Sequence, residues 1–235
     1  MAVARWKDLC FDAGDAHALA RFWGRILGLA VELHDDGDAV LRGARPEETI
    51  WVNAVPEPKT VKHRIHLDLD VASIEPLLEA GATMVLPAEE SGFGWSVLAD
   101  PDGGELCAFV REGQAPDPPA RRYELCVDTT DAATAHDLAA WWGEVWGGRV
   151  EDDDRGFSWL EQVPGLPFDG IVFLPVPEPK SAKNRVHWDV VCDDVPALVA
   201  WGATVLAEPT ERTPWHVLAD PDGNELCAFP SSGDA

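Results

Sequence analysis

The 235 residues carry 18 Lys+Arg against 42 Asp+Glu, a formal net charge of −24, with 46% hydrophobic and 9% aromatic residues. Such a chain repels phosphate backbones and anionic lipid, which argues against nucleic-acid and membrane partners, and its aromatic content argues for a folded protein over an acidic disordered tail. No apolar run approaches the roughly 20 residues of a membrane span. Met1–Cys10 lacks a signal-like apolar stretch, and five cysteines without a CxxC pair point to reduced thiols in a cytoplasmic setting.

Taken along the chain, Trp6–Asp12 alternates Leu9 and Phe11 against Asp8, Cys10 and Asp12, the pattern of a half-buried strand. Asp15 is placed to cap a helix over Ala16–Leu27, where Leu19, Phe22, Trp23, Ile26 and Leu27 recur at helical spacing and Gly28 follows as a C-cap. Strands are expected at Ala30–Leu33, Ala39–Arg42 and Thr49–Val55. The order then restarts: a strand over Arg64–Val71, a short helix over Ile74–Ala80, and strands at Thr83–Leu86, Trp95–Ala99 and Glu105–Val110. Asp100-Pro101-Asp102-Gly103 between the last two is a hairpin-turn signal.

The chain also repeats itself. Val55-Pro56-Glu57-Pro58-Lys59 returns as Val176-Pro177-Glu178-Pro179-Lys180, and Arg64, His66 and Asp68 return as Arg185, His187 and Asp189, all shifted by 121. Val97–Gly103 and Glu105–Cys107 return shifted by 120, Trp23-Gly24 by 119, and Leu9-Cys10 by 116. Ordered matches with a slowly drifting shift mean duplication with small loop changes. The expected organisation is a first domain over 1–112, a proline-rich linker over 113–120 and a second domain over 121–235, each βαβββ twice.

Arg21-Phe22-Trp23 with Leu27-Gly28, the Val55–Lys59 segment followed by His63–Asp68, and Asp100–Gly103 with Cys107 together resemble the vicinal oxygen chelate superfamily. That superfamily includes glyoxalase I, bleomycin-resistance proteins and extradiol dioxygenases, and the likeness is greatest to its glyoxalase-like domains. Trp141-Trp142, Val176–Lys180, Arg185–Asp189 and Asp220–Cys227 carry the same resemblance in the second half. It implies an α+β fold of four βαβββ modules forming two tandem domains, the two modules of a domain curling mixed sheets around a cup that holds a divalent metal. Carried over one position at a time, the ligand places are Asp8, Asn53 or a neighbour, His66 and Cys107 in the first domain. In the second they are Glu124, a residue near Leu174, His187 and Cys227. A thiol stands where a carboxylate is usual, so the metal candidates Asp8, His66, Cys107, Glu124, His187 and Cys227 suit a soft, zinc-like ion in an open site better than a hard one. No other cofactor is implied.

Strand alternation adds an independent expectation. His66, Asp68 and Asp70 oppose Leu67 and Leu69, and Glu105 and Cys107 oppose Leu106, so the polar faces converge on a hollow while apolar faces take the helices. Carboxylates crowded there raise one another's pKa, and His66 beside Asp68 resembles an oriented imidazole base. The leading expectation is a glyoxalase-like lyase or isomerase acting on a small organic molecule. Asp8, His66 and Asp68 would move protons in the first domain, and Glu124, His187 and Asp189 in the second. Trp51, Trp95, Trp159 and Trp215, with Asn53, Cys107 and Cys227, would contact the ligand. The alternative is a bleomycin-resistance-like protein that sequesters a cationic or aromatic compound without turnover, favoured by net charge and tryptophan content. Two plainer expectations stand beside these: Arg64, His66 and Asp68 form a structural network countered by Lys59 or Lys62, and the second domain, with Leu174 for Asn53, is a degenerate copy. A monomer or homodimer is expected.

Overall fold

The computed structural model describes residues 2–115 and 117–231. Met1, Pro116 of the expected linker and residues 232–235 of the expected second domain lie outside the described residues. The first module comprises β1 (Ala4–Ala13), α1 (Ala16–Leu27), β2 (Ala30–Leu33), β3 (Ala39–Arg42) and β4 (Ile50–Ala54). The second comprises β5 (Ile65–Val71), α2 (Glu75–Ala80), β6 (Thr83–Leu86), α3 (Ala88–Ser91), β7 (Ser96–Ala99) and β8 (Glu105–Val110). In the third are β9 (Ala120–Thr129), α4 (Ala132–Trp146), β10 (Arg149–Asp152), β11 (Ser158–Glu161) and β12 (Gly170–Pro175). The fourth contains β13 (Val186–Cys192), α5 (Val195–Ala200), β14 (Thr204–Ala207), β15 (His216–Ala219) and β16 (Glu225–Phe229). The one-turn helix α3 and a 3-10 turn at Pro46–Glu48 are additions to the expected elements.

The first helix forms as its sequence dictates. Asp15 accepts a hydrogen bond from the Ala18 amide at 2.9 Å, and Gly28 closes the helix in the left-handed region at φ 66°. Gly24 is required by packing: a Cβ there would lie 2.3 Å from Val31 of β2. Trp23 and Trp142 are buried as expected, and each indole donates to a turn aspartate, Trp23 to Asp100 at 3.4 Å and Trp142 to Asp220 at 3.2 Å. Those aspartates also accept two backbone amides each, which builds the turns predicted from the Asp-Pro-Asp-Gly runs.

Eight strands form each of two mixed sheets, in the orders β14-β15-β16-β13-β1-β4-β3-β2 and β10-β11-β12-β9-β5-β8-β7-β6. This corrects the expected pairing of modules. The two modules of a domain do not share a sheet; the first pairs with the fourth, through antiparallel β1 and β13, and the second with the third, through antiparallel β5 and β9. Alternation fixes a strand's faces but leaves its edge partner open, and here reciprocal contacts between domains accompany the choice. Arg64 donates to the backbone oxygens of Glu178 at 2.9 Å and Asp128 at 2.6 Å, while Arg185 donates to that of Glu57 at 2.7 Å and to the Asp102 carboxylate at 2.8 Å. Arg64 therefore ties the domains together and is not part of a network with His66 and Asp68, and Lys59 binds Glu105 instead, at 2.8 Å.

One continuous apolar core joins all four modules. Trp142 and Trp146 of α4 stack at 4.0 Å, and across the gap they meet Trp188 of β13 at 5.1 Å and Trp6 of β1 at 6.2 Å. Trp6, Trp23, Trp142, Trp146 and Trp188, five of the eleven tryptophans, are buried core residues, so the tryptophan count does not by itself argue for a ligand. No described helix is long and apolar enough to cross a membrane.

Two outcomes test this arrangement. Arg64→Ala removes a buried cation with bonds to both backbone partners, and urea unfolding should register a loss of about 3 kcal/mol. Residues 1–112 alone would leave the β1 and β5 edges unpaired, so size-exclusion chromatography should find this fragment dimeric or aggregated; a well-folded monomer would contradict the cross-domain seams.

Candidate functional site

Because the seams run between domains, each cup draws on both. In the β5–β9 cup, Leu67 and Leu69 turn to the core, and His66, Asp68 and Asp70 take the other face. Asp68 stands opposite Glu124 and His66 opposite Cys126, and β8 places Cys107 beside Asp68. A cavity of about 630 Å³ is lined here by His66, Asp68, Cys107, Glu124, Trp95 and Trp159, among others. The expected grouping is thus corrected: His66 and Asp68 share their cup with Glu124, and Asp8 lies in the other sheet with His187 and Asp189.

Most acids around this cavity already have cations. Lys62 pairs with Asp128, Lys59 holds Glu105, and Arg121 grips Asp169 with contacts of 2.8 and 2.9 Å. Asp68 and Glu124 have no Lys or Arg partner among the described residues. Burial first, and then the neighbouring Asp68 charge, push the Glu124 carboxyl up to about 7, against a smaller opposing pull from Tyr123. His66 Nδ1 lies 2.9 Å from Asp68 Oδ1, but the two are not aligned as a hydrogen bond and both atoms lack other partners. Cys107 is a buried thiol whose pKa is driven up by burial and by Asp68, so it is no ready nucleophile.

The β1–β13 cup repeats this register with one addition. Asp8 stands opposite Asp189 and Cys10 opposite His187. Lys7 Nζ lies 2.5 Å from Asp8 Oδ2, 3.8 Å from Asp189 Oδ2 and 4.2 Å from the centre of the Phe229 ring. Burial and the Asp8 charge raise Asp189 well above the usual carboxylate range; burial lowers His187 to about 4. Cys227 Sγ is 3.9 Å from His187 Nε2, and burial pushes that thiol up to about 12. Asn53 donates to Asp12 at 3.3 Å, Trp51 lies 5.8 Å edge-on from His34, and Trp215 stacks on Phe229 at 4.8 Å. Since Asn53 and Leu174 belong to cups that both domains build, neither marks one whole domain as the degenerate copy.

Donor atoms of His66, Asp68 and Cys107 come within 4.8 Å of one another, as do those of Cys10, His187 and Asp189. These groups differ from the six metal candidates, omitting Asp8, Glu124 and Cys227. Two ligands on one tetrahedral zinc stand about 3.3 Å apart, given bonds near 2.0 Å. The 2.9 Å between His66 and Asp68 is shorter than that, and in the β1–β13 cup the Lys7 ammonium takes the negative charge. As arranged, His66 and Asp68 are set against one another and would have to separate before an ion could sit between them and Cys107.

Sequence reading missed Lys7 and Tyr123. Strict alternation assigns both to the apolar face, with Leu9 and Leu125. A β-bulge lies between Trp6 and Asp8, and another between the Asp68–Glu124 and Leu69–Arg122 pairs, and each inserts one of these residues as the extra position. Only the 116-residue shift, followed back two residues from Leu9 and Leu125, could have paired them.

The model of the glyoxalase-like domain matches residues 8–109 and again 124–229. No curated protein matches the chain. Among solved structures, glyoxalase I from Zea mays is 14% identical with a TM-score of 0.64, over 97% of this chain and 92% of that one. A putative dioxygenase from Bacillus subtilis is 13% identical at 0.61, over 98% and 86%. The cppA protein from Streptococcus pneumoniae is 10% identical at 0.52, over 98% and 100%. At these identities the likeness is one of fold. With its doubled match spanning nearly all of the described residues, the chain belongs to the glyoxalase-like domain family and carries the domain twice.

Proposed function

We propose that the β5–β9 cup is the working site and that it moves protons on a small organic molecule, as a lyase or isomerase would. The observation that carries this is Glu124: a carboxyl raised to about 7, without a basic partner, on the wall of a cavity of about 630 Å³. A base half-ionised near neutral pH combines a useful fraction of carboxylate with enough basicity to accept a proton. His66, beside Asp68 on β5 across the seam from Glu124, is the second proton carrier, and Trp95 and Trp159 supply the contact surface. In the β1–β13 cup, Asp8 and Asp189 face an internal ammonium, so that cup is assigned a structural role, His187, Trp51 and Trp215 included. A cytoplasmic setting remains part of this proposal.

A second reading, binding without turnover, draws support from the aromatic wall of the same cup. Phe93, Trp95, Phe109 and Tyr123 follow one another with ring separations of 4.9, 5.0 and 5.5 Å. Incubation with a metabolite mixture in D2O, followed by NMR, separates the two. A compound that is consumed or takes up deuterium indicates chemistry, and one that is bound and recovered unchanged indicates sequestration.

Glu124→Gln should lower any such exchange by a factor of about 10² to 10⁴, and exchange by the native protein should rise as pH increases through about 7. Stability gives an activity-independent check. Glu124 is raised on folding, so the native state holds its proton between the unfolded carboxyl value, about 4.3, and the folded one. Its contribution to stability is present at low pH and lost as pH climbs through about 7. The Tm advantage of Glu124→Gln over the native protein should therefore grow from pH 5 to 7 and level off above; a flat difference would refute the raised carboxyl.

A further inference from the structure

Superposing the two cups by their shared register pairs Asp189 with Asp68, Asp8 with Glu124, Trp215 with Trp95 and Phe229 with Phe109. Each cup thus offers two acids facing one another across the central seam, beside a tryptophan–phenylalanine pair with ring centres 5.0 or 4.8 Å apart. They differ at the bulge. Lys7 in one is Tyr123 in the other.

The Lys7 ammonium shows what such a pocket prefers. It lies 2.5 Å from one acid, 3.8 Å from the other and 4.2 Å above the phenylalanine ring. That combines charge pairing with cation–π attraction, the two interactions by which alkylammonium groups are recognised. In the β5–β9 cup two facing acids and the ring pair remain, but among the described residues no lysine reaches Asp68 or Glu124. Asp68 is more than nine-tenths buried, with Oδ1 unpartnered in hydrogen bonding, and it lines the open cavity together with Glu124. Lys62, the other ammonium at this cup, is engaged by Asp128, just as Lys183 is by Asp12 at 2.5 Å in the sister cup, so it does not substitute for Lys7. Arg111, stacked over Phe109 at 4.9 Å, is likewise held by Asp70 at 2.9 Å.

We infer that Lys7 is an internal mimic of the ligand, and that the β5–β9 cup takes a small molecule bearing a protonated amine. Its ammonium sits between Asp68 and Glu124 against Phe109, and its apolar body lies along Trp95 and Trp159. This rests on the reading of the β5–β9 cup as the working site and adds the class of substrate.

The test uses the full chain and three probes of one shape: 4-phenylbutylammonium, 4-phenylbutanol and 4-phenylbutanoate, titrated calorimetrically at pH 7. The ammonium should bind at least tenfold tighter than the alcohol, and the carboxylate more weakly still. Tyr123→Lys should fill this cup as Lys7 fills the other, weakening ammonium binding more than tenfold without lowering Tm. Lys7→Tyr should add a second binding equivalent, and if that variant does not fold, Tyr123→Lys still decides. Equal or tighter binding of the alcohol or carboxylate, abolished by Tyr123→Lys, overturns the amine class and leaves the cup a ligand site. Ammonium binding that Tyr123→Lys does not change overturns the inference, since the probe then sits elsewhere. If no probe binds, the amine inference fails, and the Glu124→Gln comparison of Tm against pH decides the working site separately.

Discussion

The antiparallel seams between β1 and β13 and between β5 and β9 determine which side chains can meet. Each seam joins a strand of one domain to a strand of the other, so neither domain owns a cup. The crossovers at Val55–His63 and Val176–Asn184 carry the chain from one sheet to the other, and lysines fasten them: Lys59 to Glu105 and Lys180 to Glu225, both at 2.8 Å. Arg64 and Arg185 then bind the opposite domain's crossover through its backbone oxygens. A guanidinium with fixed geometry selects one relative placement of the domains more sharply than apolar contact could. The apolar core fills in behind, with α4 bridging the two sheets through its tryptophans.

Two like-charged carboxylates held across a seam cannot both ionise cheaply in a buried site. The two cups resolve this differently. In the β1–β13 cup a lysine from the bulge supplies the counter-charge, while burial and the Asp8 charge raise Asp189 and burial lowers His187 to about 4. Among the described residues the β5–β9 cup has no such cation, and burial together with the Asp68 charge raises Glu124 to about 7. A bulge that turns a long side chain onto the polar face therefore separates a self-satisfied cup from a reactive one.

The elements of the fold were largely readable from the sequence. Ala30–Leu33, Ala39–Arg42, Thr83–Leu86 and Glu105–Val110 are strands at their expected bounds, and Ala16–Leu27 is the expected helix. Local alternation and capping chemistry carry that information. The module pairing was not readable, because a backbone edge presents the same donors and acceptors to any partner strand, and the guanidinium contacts that distinguish partners span more than 80 residues. Most polar residues of the site were recognised, since they lie to one side of each bulge, where the period-two alternation is unbroken. Their grouping was wrong, and Lys7 and Tyr123 were overlooked, because a bulge shifts the period-two pattern by one residue and composition does not announce it.

Duplication within one chain offers its own means of separating architecture from chemistry. Residues that recur in both halves with the same contacts hold the fold: Trp23 and Trp142 on their turn aspartates, Arg64 and Arg185 on the opposite crossover, Lys62 and Lys183 on Asp128 and Asp12. The cup positions diverge instead. Lys7 corresponds to Tyr123, Asp8 corresponds to Glu124, and Trp51 with Val40 on one sheet becomes Val172 with Trp159 on the other. The last exchange moves the large ring one strand outward, from β4 to β11, which leaves room over the β9–β12 centre of the cup where Cys126 meets Val172. Steric and electrostatic changes thus coincide in the same cup: the lysine is withdrawn, the tryptophan moves off the central strands, and the acids that remain face the cavity. His66 and Asp68, which recur as His187 and Asp189, supply a common frame, and the divergent positions around that frame decide what each cup can hold.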